Sequence, residues 1–383
     1  MYRKCRFLTL PEQKGDNNMK IKAAVTKAAG APYVIEEVEL AEPKFDEILV
    51  RIVASGICHT DDVVRNQFIP VPLPAVLGHE GAGIVEKVGL GVTEFKVGDK
   101  VGITFSSCGE CPCCKKAKPY VCKNFNKINF GGIQPDGTSR LKTLDGQTLS
   151  TLFGQSSFAT HAVVNARSAV KVEYDDMDLA LVAPIGCGIQ TGAGAVLNRL
   201  RPEFGSTIAV FGCGTVGMSA IMAAKIAGCA KIIAVGGNPK SLELAKELGA
   251  THTVNRKEVD PVQAVKELTD GGVNYSIDTT GVGECVRKSL AMCDFDGTCV
   301  VVGATGDLTI NVQEELMGDG KRLIGVVEGD SIPKDFIPKL IDYHQRGMFP
   351  FDKLIKFYNF EDINTAVEES HKGVCIKAVL RME

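Results

Sequence analysis

The 383-residue sequence has no run of about eighteen apolar residues. Its opening stretch, "MYRKCRFLTLPEQKGDNN", lacks the apolar core of a secretory signal. A membrane partner and a secretory route are both excluded on this reading. The expectation is a soluble, cytoplasmic protein with residues 1–18 as a loose extension. Neither sign of charge dominates either: 43 Lys plus Arg face 46 Asp plus Glu, a net charge of -3, and the two signs are interspersed. The electrostatic footprint of a nucleic-acid binder is therefore missing. Internal repeats and low-complexity tracts are absent as well. The chain is long enough to bury a large core, so disulfide staples are not needed for stability.

What is present divides the chain in two, in keeping with its length. From about residue 22 to 170, short β-branched runs such as "EILVRIVASGI", "GAGIVEKVG" and "FATHAVV" are broken by glycine and proline. They predict an antiparallel, barrel-like β domain. From about 207, "TIAVF", "KIIAV", "NYSID" and "GTCVVVG" alternate with helical stretches such as "PKSLELAKELG". Strand alternating with helix predicts a doubly wound parallel sheet. Asn238 before Pro239 and Asp260 before Pro261 are expected helix caps. The last fifty-odd residues, ending in "IKAVLRM", read as a return to the first domain.

Cysteine is the residue in excess. The stretch "SSCGECPCCKKAKPYVC" holds five of the chain's fourteen. It could be a disulfide cluster, a nucleic-acid finger, or a zinc-bound lobe on an enzyme; in a reducing compartment, metal or catalysis is the usual use. Elsewhere, "GICHTD" supplies Cys58, "LGHEGAG" supplies His79 and Glu80, and "PIGCGIQTG" supplies Cys187. Two thiolates and one imidazole leave the fourth tetrahedral position of a zinc open, the coordination of a catalytic site.

"FGCGTVG" places Gly212, Gly214 and Gly217 in G-x-G-x-x-G spacing, after a strand and at the start of a helix. The first glycine makes the turn, the second lets backbone approach a pyrophosphate, and the third packs helix on strand. The acid that would hold the adenosine ribose at the end of the next strand is missing. That position is Gly236, and the next acid, Glu243, lies inside the following helix. With Gly237 and Asn238 continuing the turn and Lys240 and Arg256 nearby, a 2'-phosphate is accommodated, so NADP is favoured and NAD remains usable.

Together, "GHEGAGIVEKVG", the Cys-His-Thr-Asp run, "GCGIQTGAGA" and "FGQSSFATHAV" resemble the zinc-dependent medium-chain alcohol dehydrogenases, most closely the aryl-alcohol (benzyl-alcohol) and geraniol dehydrogenase branch. The resemblance runs from Met19 to the C-terminus. It implies a GroES-like catalytic domain over 19–186 and 329–383 and a Rossmann cofactor domain over 187–328. It also implies that Cys108, Cys111, Cys114 and Cys122, spaced by two, two and seven residues, hold a structural zinc, leaving Cys113 over as a neighbour or alternative ligand. A second zinc on Cys58, His79 and Cys187 would be catalytic.

The same resemblance assigns roles. Thr60 would hydrogen-bond the alcohol, Asp61 would orient the histidine, and Glu80 would sit behind the metal. Val63 stands where many relatives carry a histidine base that ends the proton relay. His59 and Lys377 would contact the pyrophosphate, while Thr191, Val216 and Thr280 would lie near the nicotinamide half; Thr215 and Val302 complete the expected cofactor contacts. Ile69, Thr104, Phe105, Leu152, Phe153 and Ala304 would line an apolar pocket suited to an aromatic or prenyl primary alcohol or its aldehyde. Asn126 and Ile69 stand where the glutathione-dependent formaldehyde branch needs an arginine and an acid, which disfavours that substrate. The family forms dimers and tetramers, so a homo-oligomer is expected. Two alternatives remain open on sequence: a reductase of aldehydes or conjugated C=C or C=N bonds, and a non-catalytic zinc-binding module. The module would account for the cysteine lobe but not for the second ligand set and the glycine fingerprint together.

Overall fold

The structure, a computed structural model, describes residues 18–382. The extension expected over 1–18 therefore falls, apart from Asn18, outside the described residues; strand Met19–Thr26 follows directly. That strand joins Val34–Leu40, Leu141–Thr143, Thr148–Thr151 and Ala75–Val76 in a small closed barrel. Its strand pairs are antiparallel except Ala75–Val76 with Thr148–Thr151, which run parallel.

A second, seven-stranded sheet is organised around Glu47–Gly56, which pairs with Gly81–Val88, His161–Asn165 and the C-terminal strand Lys377–Arg381. A strand paired on both edges and covered on both faces needs a nearly unbroken apolar run, and "EILVRIVASG" supplies one, with eight of its ten residues buried. The chain end is thereby carried back onto the first part of the chain, and with it Lys377.

The third sheet is six-stranded and wholly parallel, in the order His252–Asn255, Lys231–Gly236, Thr207–Phe211, Val273–Asp278, Cys293–Val301, Arg322–Gly325. This 3-2-1-4-5-6 order puts a crevice at the carboxyl end of its first strand, where the order reverses. Helices on its faces follow their sequence signals. Asn238 Oδ1 accepts from Lys240 N at 3.0 Å at the head of Pro239–Leu248, whose Leu242, Ala245 and Leu248 face inward. Asp260 Oδ1 accepts from Gln263 N at 2.8 Å at the head of Pro261–Thr269.

The helix Gly188–Gly194, "GIQTGAG", is wholly buried and joins the two halves. A Cβ on Gly192 would stand 2.0 Å from Val216 O, so only glycine lets this helix touch the one beginning at Thr215. Ile189 and Ala193 continue into a core shared with Val182, Ile208, Val210, Ile221 and Val379; each fully buried large aliphatic there contributes about 1.5–3 kcal/mol. Cys187 is thus set at a fixed distance from the glycine turn. Among the described residues no single helix is long and apolar enough to cross a membrane.

Candidate active site and metal centres

Three loop ends converge on one point. Cys58 is the N-cap of helix His59–Arg65, just past strand Glu47–Gly56. His79 and Glu80 precede strand Gly81–Val88, and Cys187 stands between the turn Ala183–Gly186 and the buried helix. One ligand atom from each of Cys58, His79, Glu80 and Cys187 lies within 4.8 Å of all the others.

Asp61 orients the imidazole. Its Oδ1 accepts from His79 Nδ1 at 3.0 Å and from Gly78 N at 3.0 Å, and its Oδ2 accepts from Cys58 N at 3.0 Å. In the neutral ring the proton is therefore on Nδ1 and Nε2 carries the lone pair, while, against the effect of burial, Asp61 and Cys58 make that nitrogen strongly basic. His79 is fully buried and its Nε2 has no hydrogen-bond partner, a cost of about 1–3 kcal/mol unless something binds it. Two sulfurs beside this nitrogen fit zinc. Cys58 is held well below its ordinary thiol value, chiefly by the hydrogen bond to Cys187 and also by His79 and Lys377. The same hydrogen bond and burial push Cys187 up, so the pair holds one thiolate ready for a metal that would displace the second proton. Thr60 Oγ1 lies 3.8 Å from Cys58 Sγ, at the edge of the same site.

Glu80 is fully buried and paired. Lys377 Nζ donates to Glu80 Oε1 at 3.0 Å, to Oε2 at 2.8 Å and to Ile57 O at 3.0 Å. Burial pushes the Glu80 carboxyl up to about 7 despite this cation. Lys377, expected at the pyrophosphate, here makes its contacts to Glu80 and Ile57.

The cysteine lobe forms a second cluster. Four sulfurs on a tetrahedral zinc at about 2.3 Å would stand about 3.8 Å apart. Cys108 to Cys114 is 3.9 Å, Cys111 to Cys114 3.6 Å, Cys111 to Cys122 4.0 Å, and Cys122 to Cys108 3.4 Å. Backbone N–H groups of Cys114 and Lys123 pull the Cys111 thiol down to about 6. Cys113, in the short helix Pro112–Lys115, is not one of this foursome.

At the glycine fingerprint, Gly212 has φ 106°, the left-handed turn that glycine allows. A Cβ on Gly217 would stand 1.8 Å from Gly212 O, whereas one on Gly214 would meet nothing within 4 Å. Gly214 caps helix Thr215–Ile226 without any side-chain hydrogen bond. Open space before free helix N–H groups fits a pyrophosphate. Thr215 Oγ1 donates to Ile376 O at 3.1 Å, tying this helix to the strand that brings Lys377.

At the end of the second parallel strand, Gly236 is buried. Arg256 N donates to Gly236 O at 2.9 Å, and the Cβ position of Gly237 lies 3.4 Å from Arg256 Nε and 3.1 Å from Lys257 Cε. Lys240 is exposed at the following helix. Thr280 Oγ1 donates to the Asp278 carboxylate, and Val302 N to Asp278 O, at the carboxyl ends of the neighbouring strands. His59 is exposed beside Cys58, and Val216 is half-buried.

The six pocket candidates separate. Ile69, Phe105, Leu152 and Phe153 join one apolar cluster. The Phe153 ring lies 4.7 Å from that of His79, and Phe125 and Phe130 pack on it at 6.4 and 5.1 Å. The hydroxyl of the fully buried Thr104 donates to Gly186 O at 2.6 Å and accepts from Gln190 Nε2 at 2.7 Å, so it braces the Cys187 turn. Ala304 is exposed near Gly281, apart from that cluster.

Comparison with known proteins decides what such a molecule is. Residues 44–174 match the model of the alcohol dehydrogenase GroES-like domain, and residues 215–344 that of zinc-binding dehydrogenases. A geraniol dehydrogenase from Castellaniella defragrans is 44% identical over 94% of this chain and 97% of its own length. The chain belongs to the zinc-dependent alcohol dehydrogenase family. A crystal structure of an alcohol dehydrogenase zinc-binding domain protein from Burkholderia ambifaria superposes with TM-score 0.93 at 47% identity, covering 96% of this chain and all of that one. That of benzyl alcohol dehydrogenase from Acinetobacter calcoaceticus gives 0.92 at 44%, covering 95% and 100%. This dehydrogenase is thus an enzyme that uses zinc and a nicotinamide nucleotide, built from a GroES-like domain and a Rossmann domain.

Several residues of the dehydrogenase site escaped sequence reasoning. Gln155 donates to His79 O at 2.8 Å and accepts from Gly81 N at 3.2 Å, bracing the loop of the histidine. It sits inside the quoted run "FGQSSFATHAV" but has no periodic or spacing signal of its own. Lys257 could have been read from its place beside Arg256. Phe125 and Phe130 read as ordinary helix residues, and Glu328 lies in a loop after the last parallel strand with no motif around it.

Proposed function

We propose that the enzyme interconverts a primary alcohol, aromatic or allylic and prenyl, with its aldehyde, and that it takes NADP in preference to NAD. The observation that carries this reading is the Phe153 ring 4.7 Å from His79, backed by Phe125 and Phe130. An aromatic wall against a metal ligand suits a flat, unsaturated substrate beside its reactive carbon. The names of the geraniol and benzyl alcohol dehydrogenases accord with it.

Two zinc ions per chain are proposed, one on Cys58, His79 and Cys187 and one on Cys108, Cys111, Cys114 and Cys122. When bound by Cys58, His79 and Cys187, the first zinc would supply a Lewis acid for the alcohol oxygen, and a bound nicotinamide would supply the hydride acceptor. The chain does the rest. Thr60 hydrogen-bonds the alcohol and takes its proton, Asp61 fixes the His79 tautomer and makes Nε2 a more basic ligand atom, and Lys377 holds Glu80 in place. Val63 offers no base after Thr60, so the proton leaves by way of the nicotinamide ribose and water, or another group. Gly212, Gly214 and Gly217 seat the pyrophosphate with His59, while Thr191, Thr215, Val216, Thr280 and Val302 border the remaining cofactor.

Arg256, Lys257 and Lys240 around a strand end without a carboxylate favour a 2'-phosphate. Residues 187–328 are taken as the cofactor unit. Strand Arg322–Gly325 pairs on one edge only, which supports self-association into a dimer or tetramer. The described cysteines are all free thiols, in keeping with a cytoplasmic place. Initial rates on benzyl alcohol, geraniol, ethanol and the matching aldehydes, each with NAD and NADP in both directions, test the proposal. Ethanol preferred over both larger alcohols would overturn the substrate class. Because of Val63, rates confined to the aldehyde direction would favour the reductase reading.

A further inference from the structure

The backbone from Glu328 to Asp330 is left-handed at three successive residues, with φ 49°, 67° and 48°. For a glutamate and an aspartate this conformation costs about 1–2 kcal/mol each, where glycine would adopt it freely. The loop cannot relax, because it is clamped to the buried helix. A Cβ on Gly329 would stand 2.3 Å from Gln190 O, and one on Gly194 would stand 2.1 Å from Gly329 O. Asn198 Nδ2 also donates to Gly329 O at 3.0 Å, and Arg199 pairs with Asp330 at 3.4 Å.

This clamp aims Glu328 at the first turn of the helix Gly188–Gly194. Thr191 Oγ1 lies 3.4 Å from Glu328 Oε2, and Thr191 N donates to Cys187 O at 2.9 Å. Glu328 is half-buried, and among the described residues no cation forms an ion pair with it. Two thiolates of Cys58 and Cys187 would offset a zinc ion held by this ligand set, and Lys377 offsets Glu80. Asp61 is on the far edge of the His79 ring, held by three N–H donors. Among the described residues Glu328 thus has no ion-pair partner; beyond burial, the His79 ring favours its charge and Cys58 and Glu80 oppose it, and the one polar contact of its side chain is Thr191.

We propose that Glu328 faces the nicotinamide end of the cofactor cleft and that its carboxylate favours the oxidised, positively charged ring over the reduced, neutral one. The inference rests on the nicotinamide reading of this cleft. A strained glutamate is kept where glycine would be cheaper because the side chain supplies a charge that only one redox state of the cofactor can use. Such a residue would tilt the cofactor equilibrium on the enzyme toward the form that accepts hydride.

The test is direct binding, without turnover. Dissociation constants of the oxidised and reduced nucleotide, NADP+ with NADPH and NAD+ with NADH, are measured by calorimetry on zinc-loaded enzyme at pH 8.5, above the value of about 7 to which burial lifts Glu328. Glu328→Gln is expected to weaken the oxidised form about tenfold relative to the reduced one, the size of a single nearby charge in a half-buried site. Glu328→Gly removes the same charge while relieving the backbone, and should move the ratio the same way. An unchanged ratio in both variants, with wild type binding both nucleotides, overturns the inference. Failure of wild type to bind either pair would instead sink the nicotinamide reading beneath it.

Discussion

Asp61 Oδ1 accepts the Nδ1 proton of His79 at 3.0 Å, and so the opposite nitrogen of a fully buried ring is left as a bare acceptor between two thiols. Replacing the carboxylate by an amide tests this arrangement. Asp61→Asn presents a weaker acceptor and, in the wrong rotamer, a donor to Nδ1. Zinc affinity or turnover should fall by about 10–100-fold, the usual cost of such a partner, measured by zinc competition with a chelator. Unchanged zinc affinity and unchanged rate together would mean that Asp61 is only a helix-capping acid.

The two metal sets should separate by variant. Wild-type protein is expected to carry two zinc ions, because each ligand set is complete by itself. Cys187→Ala should lose one zinc and all turnover while the melting temperature holds within a few degrees. Cys111→Ala should also lose one zinc, but with a clear drop in melting temperature, since metal binding there is coupled to ordering the lobe. Elemental analysis beside calorimetry reads both. One zinc in the active wild type contradicts the assignment.

Lys377 and Glu80 form a buried pair, and removing one partner leaves an uncompensated charge. Lys377→Met should destabilise the fold by about 3 kcal/mol. Adding Glu80→Gln should recover much of that loss, because the two groups are coupled. Denaturant midpoints of the single and double variants measure it; strictly additive losses would place the weight of Lys377 elsewhere.

These tests also mark what the sequence could express. The residues that gather into two candidate metal clusters and the glycine fingerprint were legible because each is a local pattern with a chemical reason. The parallel sheet was legible because strand and helix alternate. Lys377 was assigned by its family position to the pyrophosphate; its contacts to Glu80 and Ile57 had no sequence signal. Strand pairing that returns the chain end to Glu47–Gly56 creates this contact, and it spans nearly 300 positions. Thr104 was placed at the pocket by its family position, and the hydrogen bond of its hydroxyl to Gly186 O had no sequence signal. Glu328 carried no signal, since a clamp between two glycines far apart in sequence directs it.

Gly217 gives a stability prediction with a binding consequence. A Cβ there would stand 1.8 Å from Gly212 O, so Gly217→Ala must lift the helix from the strand. Overpacking of this kind costs about 1–3 kcal/mol. Nucleotide affinity should fall with it, because the helix N-terminus moves away from the phosphates. Calorimetric titration with NADP+ and a thermal melt of the same sample should change together.

The cofactor preference turns on Gly236, and the geometry sets how it must be tested. A carboxylate at this strand end would accept the ribose hydroxyls of NAD and repel a 2'-phosphate. Yet a Cβ at 236 would stand 2.9 Å from Cys213 Sγ and 3.2 Å from Leu242 Cδ2, so Gly236→Asp alone also carries a packing cost. Cys213→Ala makes the room. In the double variant the NADP:NAD ratio of kcat/KM should move toward NAD by about tenfold or more, roughly 1.4 kcal/mol. In the Cys213→Ala background alone it should stay near that of wild type. Arg256→Ala and Lys257→Ala should each weaken NADP while leaving NAD nearly unchanged, because only the 2'-phosphate reaches them. If wild type uses NAD as well as NADP and none of these changes moves the ratio, Gly236 is a turn residue and the preference for NADP is wrong.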